Sequence, residues 1–475
     1  MSLSSDDASK LIGVPEAKVR IVTLGCAKND VDSEEIAGVL QASGYSVDGV
    51  SETTDAIVIN TCGFLEASKQ ESIQAIIDAV AEKNAGRASR VIVAGCLAQR
   101  LGPELMRLAP GADAYIGVGQ MGRFDEIVRD TLQRSEPTID VAPPHHRWAD
   151  IATRARAGQP WSAYLKVSEG CDHKCTFCTI PSFRGKHESK PMERVLAEAR
   201  HLAKQGTREI NLIAQDVTQY GYDLYKEFTL PRLLRELNDI DGLDWIRILY
   251  FYPNRLTDEV IEAMATLPKV AKYIDIPLQH AHPDTLRRMK RPWDGERYLK
   301  IFDKVRAAMP DVSIRTTFIV GFPGETGKEF QYLLDFTEAA KLDRVGAFMF
   351  SQEPSTPSFD MPGQVSQKVK EDRYHKLMSL QQEISQEVND TWVGRSLKVL
   401  VEDQREGWLI GRSHRDAPDI DGLVFFKGDA KPGDMVDVEI TEAEPYDLFG
   451  QQAGSAVKTR KKMEPLRMAP PKAPQ

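Results

Sequence analysis

The chain has 475 residues, room for about three domains at ~150 residues each, and its 41% hydrophobic and 28% charged content is that of a globular protein with a real core. A net charge of −9 argues against general nucleic-acid binding and leaves a basic protein as the better-matched partner. No apolar run approaches the ~20 residues of a membrane helix, and the first residues lack a signal peptide's basic start and apolar centre, so a cytoplasmic location with no membrane partner is expected and the six cysteines read as metal-binding or catalytic rather than disulfide-bonded.

Residues 1 to about 17 are polar and expected to be loose. A first domain is expected over 17–130, built on short β-branched runs: Val19 to Gly25 ends at Cys26, Ala56 to Thr61 at Cys62, and Val91 to Gly95 at Cys96. Helical patterns such as Ser33 to Ala42 and Ala67 to Lys83 fill the gaps. Strands alternating with helices predict a parallel sheet covered on both faces, whose carboxyl edge is where ligands bind. One cysteine at a strand end is an ordinary core residue. Three at equivalent strand ends should converge, and three thiolates on one edge point to an iron–sulfur cluster with one iron left open.

A linker is expected over 131–156, where Pro137, Pro143 and Pro144 break the pattern and His145 and His146 read as solvated. The second domain, 157–394, opens on the apolar run Ala163 to Val167 and then Cys171-Asp172-His173-Lys174-Cys175-Thr176-Phe177-Cys178. This C-x3-C-x2-C loop can wrap three thiolates round one cubic cluster; with no fourth cysteine nearby, one iron is open to a ligand, and Phe177 can shield one face. A zinc site is the alternative, with His173 or His187 completing four ligands. A helix follows from Pro191 to Gln205, then strands at 209–217, 245–252, 273–279, 313–320 and 344–350 with helices between them. With the strand before Cys171 these make six βα units, a partial α/β barrel whose site lies at the carboxyl strand ends. Two such ends carry candidate residues: Gln215 and Asp216, and the turn containing Gly321 and Glu325. A long helix from Gln367 to Trp392 leads to a small all-β barrel over 396–462, with runs at 398–402, 408–412, 423–426 and 435–440, and a disordered tail over 463–475.

Two three-cysteine sets and a terminal β-barrel resemble the radical S-adenosylmethionine (SAM) methylthiotransferase family over almost the whole chain. The resemblance implies an N-terminal methylthiotransferase domain, a partial (βα)6 radical SAM barrel and a TRAM barrel. It implies that Cys171, Cys175 and Cys178 hold a [4Fe–4S] cluster that cleaves SAM, and that Cys26, Cys62 and Cys96 hold a second one that supplies sulfur. Each turnover would use two SAM, one as methyl donor and one as radical source. Many radical SAM enzymes carry Gly-Gly-Glu where this chain has Ala214-Gln215-Asp216, so SAM binding by Gln215 or Asp216 is an expectation against a polar strand cap. Gly321 would pass close to adenine, with Glu325 in the same turn, against a plain tight turn at Gly-Phe-Pro-Gly.

Two branches of the family compete. The stretches Cys62 to Ala67, Asp275 to His282 and Gly411 to Gly422 are similar to the branch that modifies an aspartate β-carbon in small-subunit ribosomal protein S-twelve. The other branch modifies isopentenyladenosine in tRNA and usually has Ser where this chain has Gly63. The barrel's Asp416, Asp419, Asp421, Asp429, Asp434, Asp437 and Glu439 read as an acidic face that would repel phosphates and attract a basic protein. The resemblance also implies a low-potential electron donor, such as flavodoxin or ferredoxin, and a sulfur donor. A non-enzymatic iron–sulfur carrier or redox regulator is the reading from another class.

Overall fold

A computed structural model describes residues 17–47, 53–144, 148 and 154–454. His145, His146, the first residues and the tail lie outside them. No helix among the described residues is long and apolar enough to cross a membrane.

The first domain is a six-stranded parallel sheet in the order Ser46–Val47, Lys18–Thr23, Thr54–Thr61, Ala88–Gly95, Ala114–Ile116, Thr138–Asp140. Helices cover both faces, so the central strand Thr54–Thr61 is buried almost throughout, as its run of β-branched residues requires. The last strand falls inside the expected linker. At three residues on a half-exposed edge it carries no periodicity, and Pro137 before it reads as a break.

The middle domain holds two three-stranded parallel sheets, Ser162–Lys166 with Glu209–Ile213 and Trp245–Ile248, and Tyr273–Asp275 with Ser313–Val320 and Arg344–Met349. A single bridge, Ile246 to Val270, links their neighbourhoods, and one continuous apolar core fills the interior. The barrel is therefore partial and open. Three strands each stop four residues short of their expected ends, because segments such as 214–217 peel away as site loops. Helix Met192–Lys204 starts after Pro191 and stops before Gly206, whose φ of +97° suits a residue without Cβ.

The C-terminal strands Ser396–Arg405, Trp408–Ser413, Val424–Lys427, Met435–Ala443 and Leu448–Gln452 close into a five-stranded barrel round Val399, Val401, Phe426 and Val438. Buried charges weld it to the middle domain. Glu209 pairs with Arg412 and Arg247, Arg344 with Asp416, and Arg415 with Asp343. Burial pushes the Glu209 carboxyl up, but Arg412 and Arg247 outweigh it and bring it down to about 2.

These pairs correct the acidic-face reading. Asp416 is 2% exposed, and the Asp421 carboxylate takes hydrogen bonds from the Tyr273 hydroxyl and the Ala417 N–H beside Arg315. Asp419 accepts from the Tyr164 hydroxyl at 3.0 Å. A local sequence displays these acids but not their partners, which come from strands far away in the chain. Asp419, despite its bond to Tyr164, and Asp429, Asp434, Asp437 and Glu439 do stay exposed.

His414 sits in the same seam, its Nε2 3.1 Å from the Asp311 carbonyl. Burial, then the nearby Arg415 and Arg247, lower its pKa to about 4 despite that carbonyl. The unfolded chain, with a histidine pKa near ~6.5, binds the proton first, so stability present above pH ~6.5 is lost as pH falls towards about 4. The urea midpoint should fall between pH 7 and pH 5, and His414→Gln should shrink that fall. An equal fall in the variant would refute the assignment.

Candidate active site between two cysteine triads

Strands Lys18–Thr23, Thr54–Thr61 and Ala88–Gly95 are adjacent and parallel, so their carboxyl ends deliver Cys26, Cys62 and Cys96 to one edge. The approach is too close for side chains at the flanking positions. A Cβ on Gly25, at φ +95°, would stand 2.7 Å from the Cys62 Cβ, and one on Gly63 would stand 2.9 Å from the Leu97 backbone. Asn29 ties the loops together, donating to the carbonyls of Leu24 and Thr61. All three thiols are free. Burial raises the Cys62 thiol and pushes Cys96 to about 12. A buried guanidinium nonetheless donates to Cys96: Arg184 Nε and Nη2 lie 3.3 and 3.2 Å from its Sγ. That donor set fits a sulfur held as thiolate by a metal.

The second triad lies on the barrel's open face, after strand Ser162–Lys166. The Cys171 N–H donates to the Gly185 carbonyl, and Thr176 bonds the carbonyls of Met289 and Arg288 through its N–H and hydroxyl. Gly170, at φ +72°, admits no Cβ, since one would fall 1.9 Å from the Lys186 oxygen. Burial pushes both Cys171 and Cys178 to about 12, so again a bound cation is what would make thiolates of them. Phe177 packs against Met289, Phe322 and Phe350 and shields the loop from that side. Arg291 lies 3.8 Å from the Cys175 sulfur and over the Tyr252 ring.

The geometry fits iron–sulfur clusters better than zinc. The sulfurs of neither triad lie all within 4.8 Å of one another, whereas ligands at ~2.3 Å from one tetrahedral zinc stand about 4 Å apart. The candidate histidines are occupied elsewhere. His173 stacks on Tyr252 at 3.6 Å with its Nε2 2.7 Å from Asp216, and His187 Nε2 meets the Ser189 hydroxyl at 3.1 Å.

Asp216 also accepts from the Thr218 N–H, and Gln215 donates to Glu169 at 3.2 Å. Gly321 takes the left-handed φ of +74° that its turn demands. The buried Glu325 carboxylate accepts from the N–H groups of Gly321 and Phe322 and lies 3.2 Å from Arg373, so it braces that turn.

Sequence reasoning missed the charges between the triads. Arg184 reaches from the helix after Cys178 to Glu169, Asp32 and Asn29, and Lys166 pairs with Asp32, Glu35 and Glu169. Glu353 takes Lys69 and Arg100 of the first domain at 3.0 Å each. Lys28 lies over the Tyr250 ring. The available signal was a set of charged residues beside the cysteine motifs.

Comparison with known proteins agrees with this architecture. Family models match for the Radical SAM superfamily over residues 165–337, the uncharacterized protein family UPF0004 over 18–117 and the TRAM domain over 393–452. The chain is 46% identical over 436 residues to the ribosomal protein uS12 methylthiotransferase RimO of Moorella thermoacetica, covering 91% of this chain and 99% of that one. It is 45% identical to the protein of the same description from Symbiobacterium thermophilum, covering 93% and 92%. Among solved structures, the radical SAM methyltransferase TsrM of Kitasatospora setae shares the fold at a TM-score of 0.56 and 13% identity, over 85% of this chain and 80% of that one. At that identity the likeness speaks for fold alone. With relatives this similar over nearly its whole length, the chain belongs to the RimO family of radical SAM methylthiotransferases.

Proposed function

We propose that the enzyme methylthiolates the β-carbon of an aspartate in ribosomal protein uS12, using two SAM per turnover and two [4Fe–4S] clusters. The observation that carries this reading is the pair of cysteine triads on two domains, joined through Arg184, which leaves the Cys178 side and donates to Cys96. A carrier of one cluster needs neither the second triad nor the barrel. The similar proteins are ribosomal protein uS12 methylthiotransferases, and the protein substrate is taken from them.

When bound, the cluster at Cys171, Cys175 and Cys178 supplies the electron that cleaves SAM, and the one at Cys26, Cys62 and Cys96 supplies the sulfur. The chain's own residues set the conditions. Phe177, Met289, Phe322 and Phe350 keep water from one side of the SAM-cleaving loop. Arg184 and Arg291 place positive charge beside Cys96 and Cys175. Gln215 and Asp216, just past strand Glu209–Ile213, would help hold SAM, and Glu325 braces the turn in which Gly321 would approach its adenine. Radical abstraction suits the substrate, because an aspartate β-hydrogen is too weakly acidic for an ordinary side-chain base. A low-potential donor such as flavodoxin or ferredoxin would supply electrons in the cytoplasm, and a separate sulfur donor would restore the spent sulfur.

The test is mass spectrometry after anaerobic reaction with purified uS12 and, separately, isopentenylated tRNA. A methylthio mass gain on the aspartate of uS12 is expected. A gain on the tRNA alone would reverse the assignment.

A further inference from the structure

Lys28 is a buried cation with no ion-pair partner, although Cys26 and the buried Glu169 are near enough to act on its charge. It is 8% exposed, and among the described residues its ammonium meets no carboxylate within ion-pair distance. Its neighbour is the Tyr250 ring, 4.1 Å from Nζ to the centroid. An ammonium taken out of water without a carboxylate loses more hydration than a ring face restores. Its buried neighbours Asp32, Lys166 and Arg184 are by contrast paired.

Tyr250 is itself held unusually. It stands just past strand Trp245–Ile248, at φ +65°, a left-handed backbone that strains a tyrosine. Asp275 sustains it by accepting from the Tyr250 N–H at 3.0 Å, and Arg315 in turn holds Asp275 at 2.8 Å. The ring is thus a fixed platform from the barrel, and Lys28 reaches it from the first turn of helix Ala27–Ala42, directly after Cys26. The cation stands where the two domains meet, between the helix that follows Cys26 and Tyr250 of the barrel.

We propose that the Lys28 ammonium receives the side-chain carboxylate of the substrate aspartate; this rests on the reading of aspartate as the group modified. The β-carbon is bonded directly to that carboxylate. Anchoring the carboxylate on a residue two positions from Cys26 therefore holds the reacting carbon beside the triad assigned to sulfur supply. The same contact selects aspartate over asparagine, because a neutral amide leaves the buried ammonium unpaired. The competing role is a plain counter-charge for the Cys26 thiolate.

The experiment measures binding of two peptides to reconstituted enzyme under anaerobic conditions, one carrying the target aspartate of uS12 and one with that residue changed to asparagine. Wild type should prefer the aspartate peptide by about tenfold or more. Lys28→Gln should lose that preference while keeping its full iron content and auxiliary-cluster absorption, and Lys28→Arg should retain part of the preference. An unchanged preference in Lys28→Gln would overturn the proposal. So would loss of auxiliary iron in Lys28→Gln with retention in Lys28→Arg, which assigns the lysine to the thiolates. If wild type neither binds nor modifies the aspartate peptide while still cleaving SAM, the substrate reading falls, and this one with it.

Discussion

Changing Cys171, Cys175 and Cys178 together to Ala should leave about half the iron of the reconstituted enzyme and abolish SAM cleavage. The complementary variant lacking Cys26, Cys62 and Cys96 should also lose about half the iron. It should still form 5′-deoxyadenosine with a reductant, but no methylthiolated product. The expectation follows from where the thiols stand. One set is delivered by three adjacent strands of the first domain, and the other lies within one loop of the second, so neither set shares a ligand with the other. The folds should survive, since Cys to Ala is a small change and each loop keeps its own hydrogen bonds, such as those of Asn29 and Thr176. Iron analysis, product chromatography and circular dichroism read the three quantities. Full SAM cleavage without Cys171, Cys175 and Cys178 would remove the role assigned to them. Normal product formation without Cys26, Cys62 and Cys96 would show that sulfur does not come from that site. Loss of all iron from either variant would mean the two sites assemble together, and Arg184, bonded to Cys96 from the second domain, would then be the first residue to test.

The cysteine arithmetic was legible because ligands at strand ends sit at the boundary of two local patterns, a β-branched run and a turn. Three such boundaries on neighbouring strands suffice to place Cys26, Cys62 and Cys96 together. The alternation of strands and helices was legible for the same local reason, as was the closed C-terminal barrel, although its last strand, Leu448–Gln452, gave no separate signal. Pairings across domains were not. Arg184 with Cys96, Lys28 over Tyr250 and Arg412 with Glu209 join residues whose separation in sequence carries no pattern. Strand lengths were overstated for a related reason. Ala214, Leu249 and Ile276 are apolar and buried, as strand residues would be, yet the backbone there has already left the ladder to shape the site. Glu325 shows the limit from the other side. Its position in a Gly-Phe-Pro-Gly-Glu turn is visible in the chain, but only the structure shows its carboxylate turned back onto the N–H groups of Gly321 and Phe322.

The acids of the C-terminal barrel should divide sharply on charge reversal. Asp416→Lys should destabilise the protein by about 3–5 kcal/mol, because it removes one partner of a buried pair and sets a lysine against Arg344. Burial raises the Asp416 carboxyl, and Arg344 and Arg415 more than reverse this, so its charge is part of the folded state. The Ser413 hydroxyl also donates to it, at 2.8 Å, and would be left facing an ammonium. Asp421→Lys should behave similarly, since its carboxylate lies between Tyr273 and Arg315, and Arg315 would keep only Asp275. Asp437→Lys and Glu439→Lys, on exposed positions of one strand, should change stability by no more than about 0.5 kcal/mol. If the exposed acids steer a basic ribosomal protein, those two variants should slow association at low salt and differ little from wild type at high salt. Thermal melts separate the two groups, and stopped-flow binding at two ionic strengths then tests the exposed pair. A melting temperature for Asp416→Lys within a degree of wild type would mean that the barrel is not held to the core by these charges. A binding rate for Asp437→Lys and Glu439→Lys equal to wild type at low salt would leave the exposed acids as solvated surface, with recognition carried at the cysteine site instead.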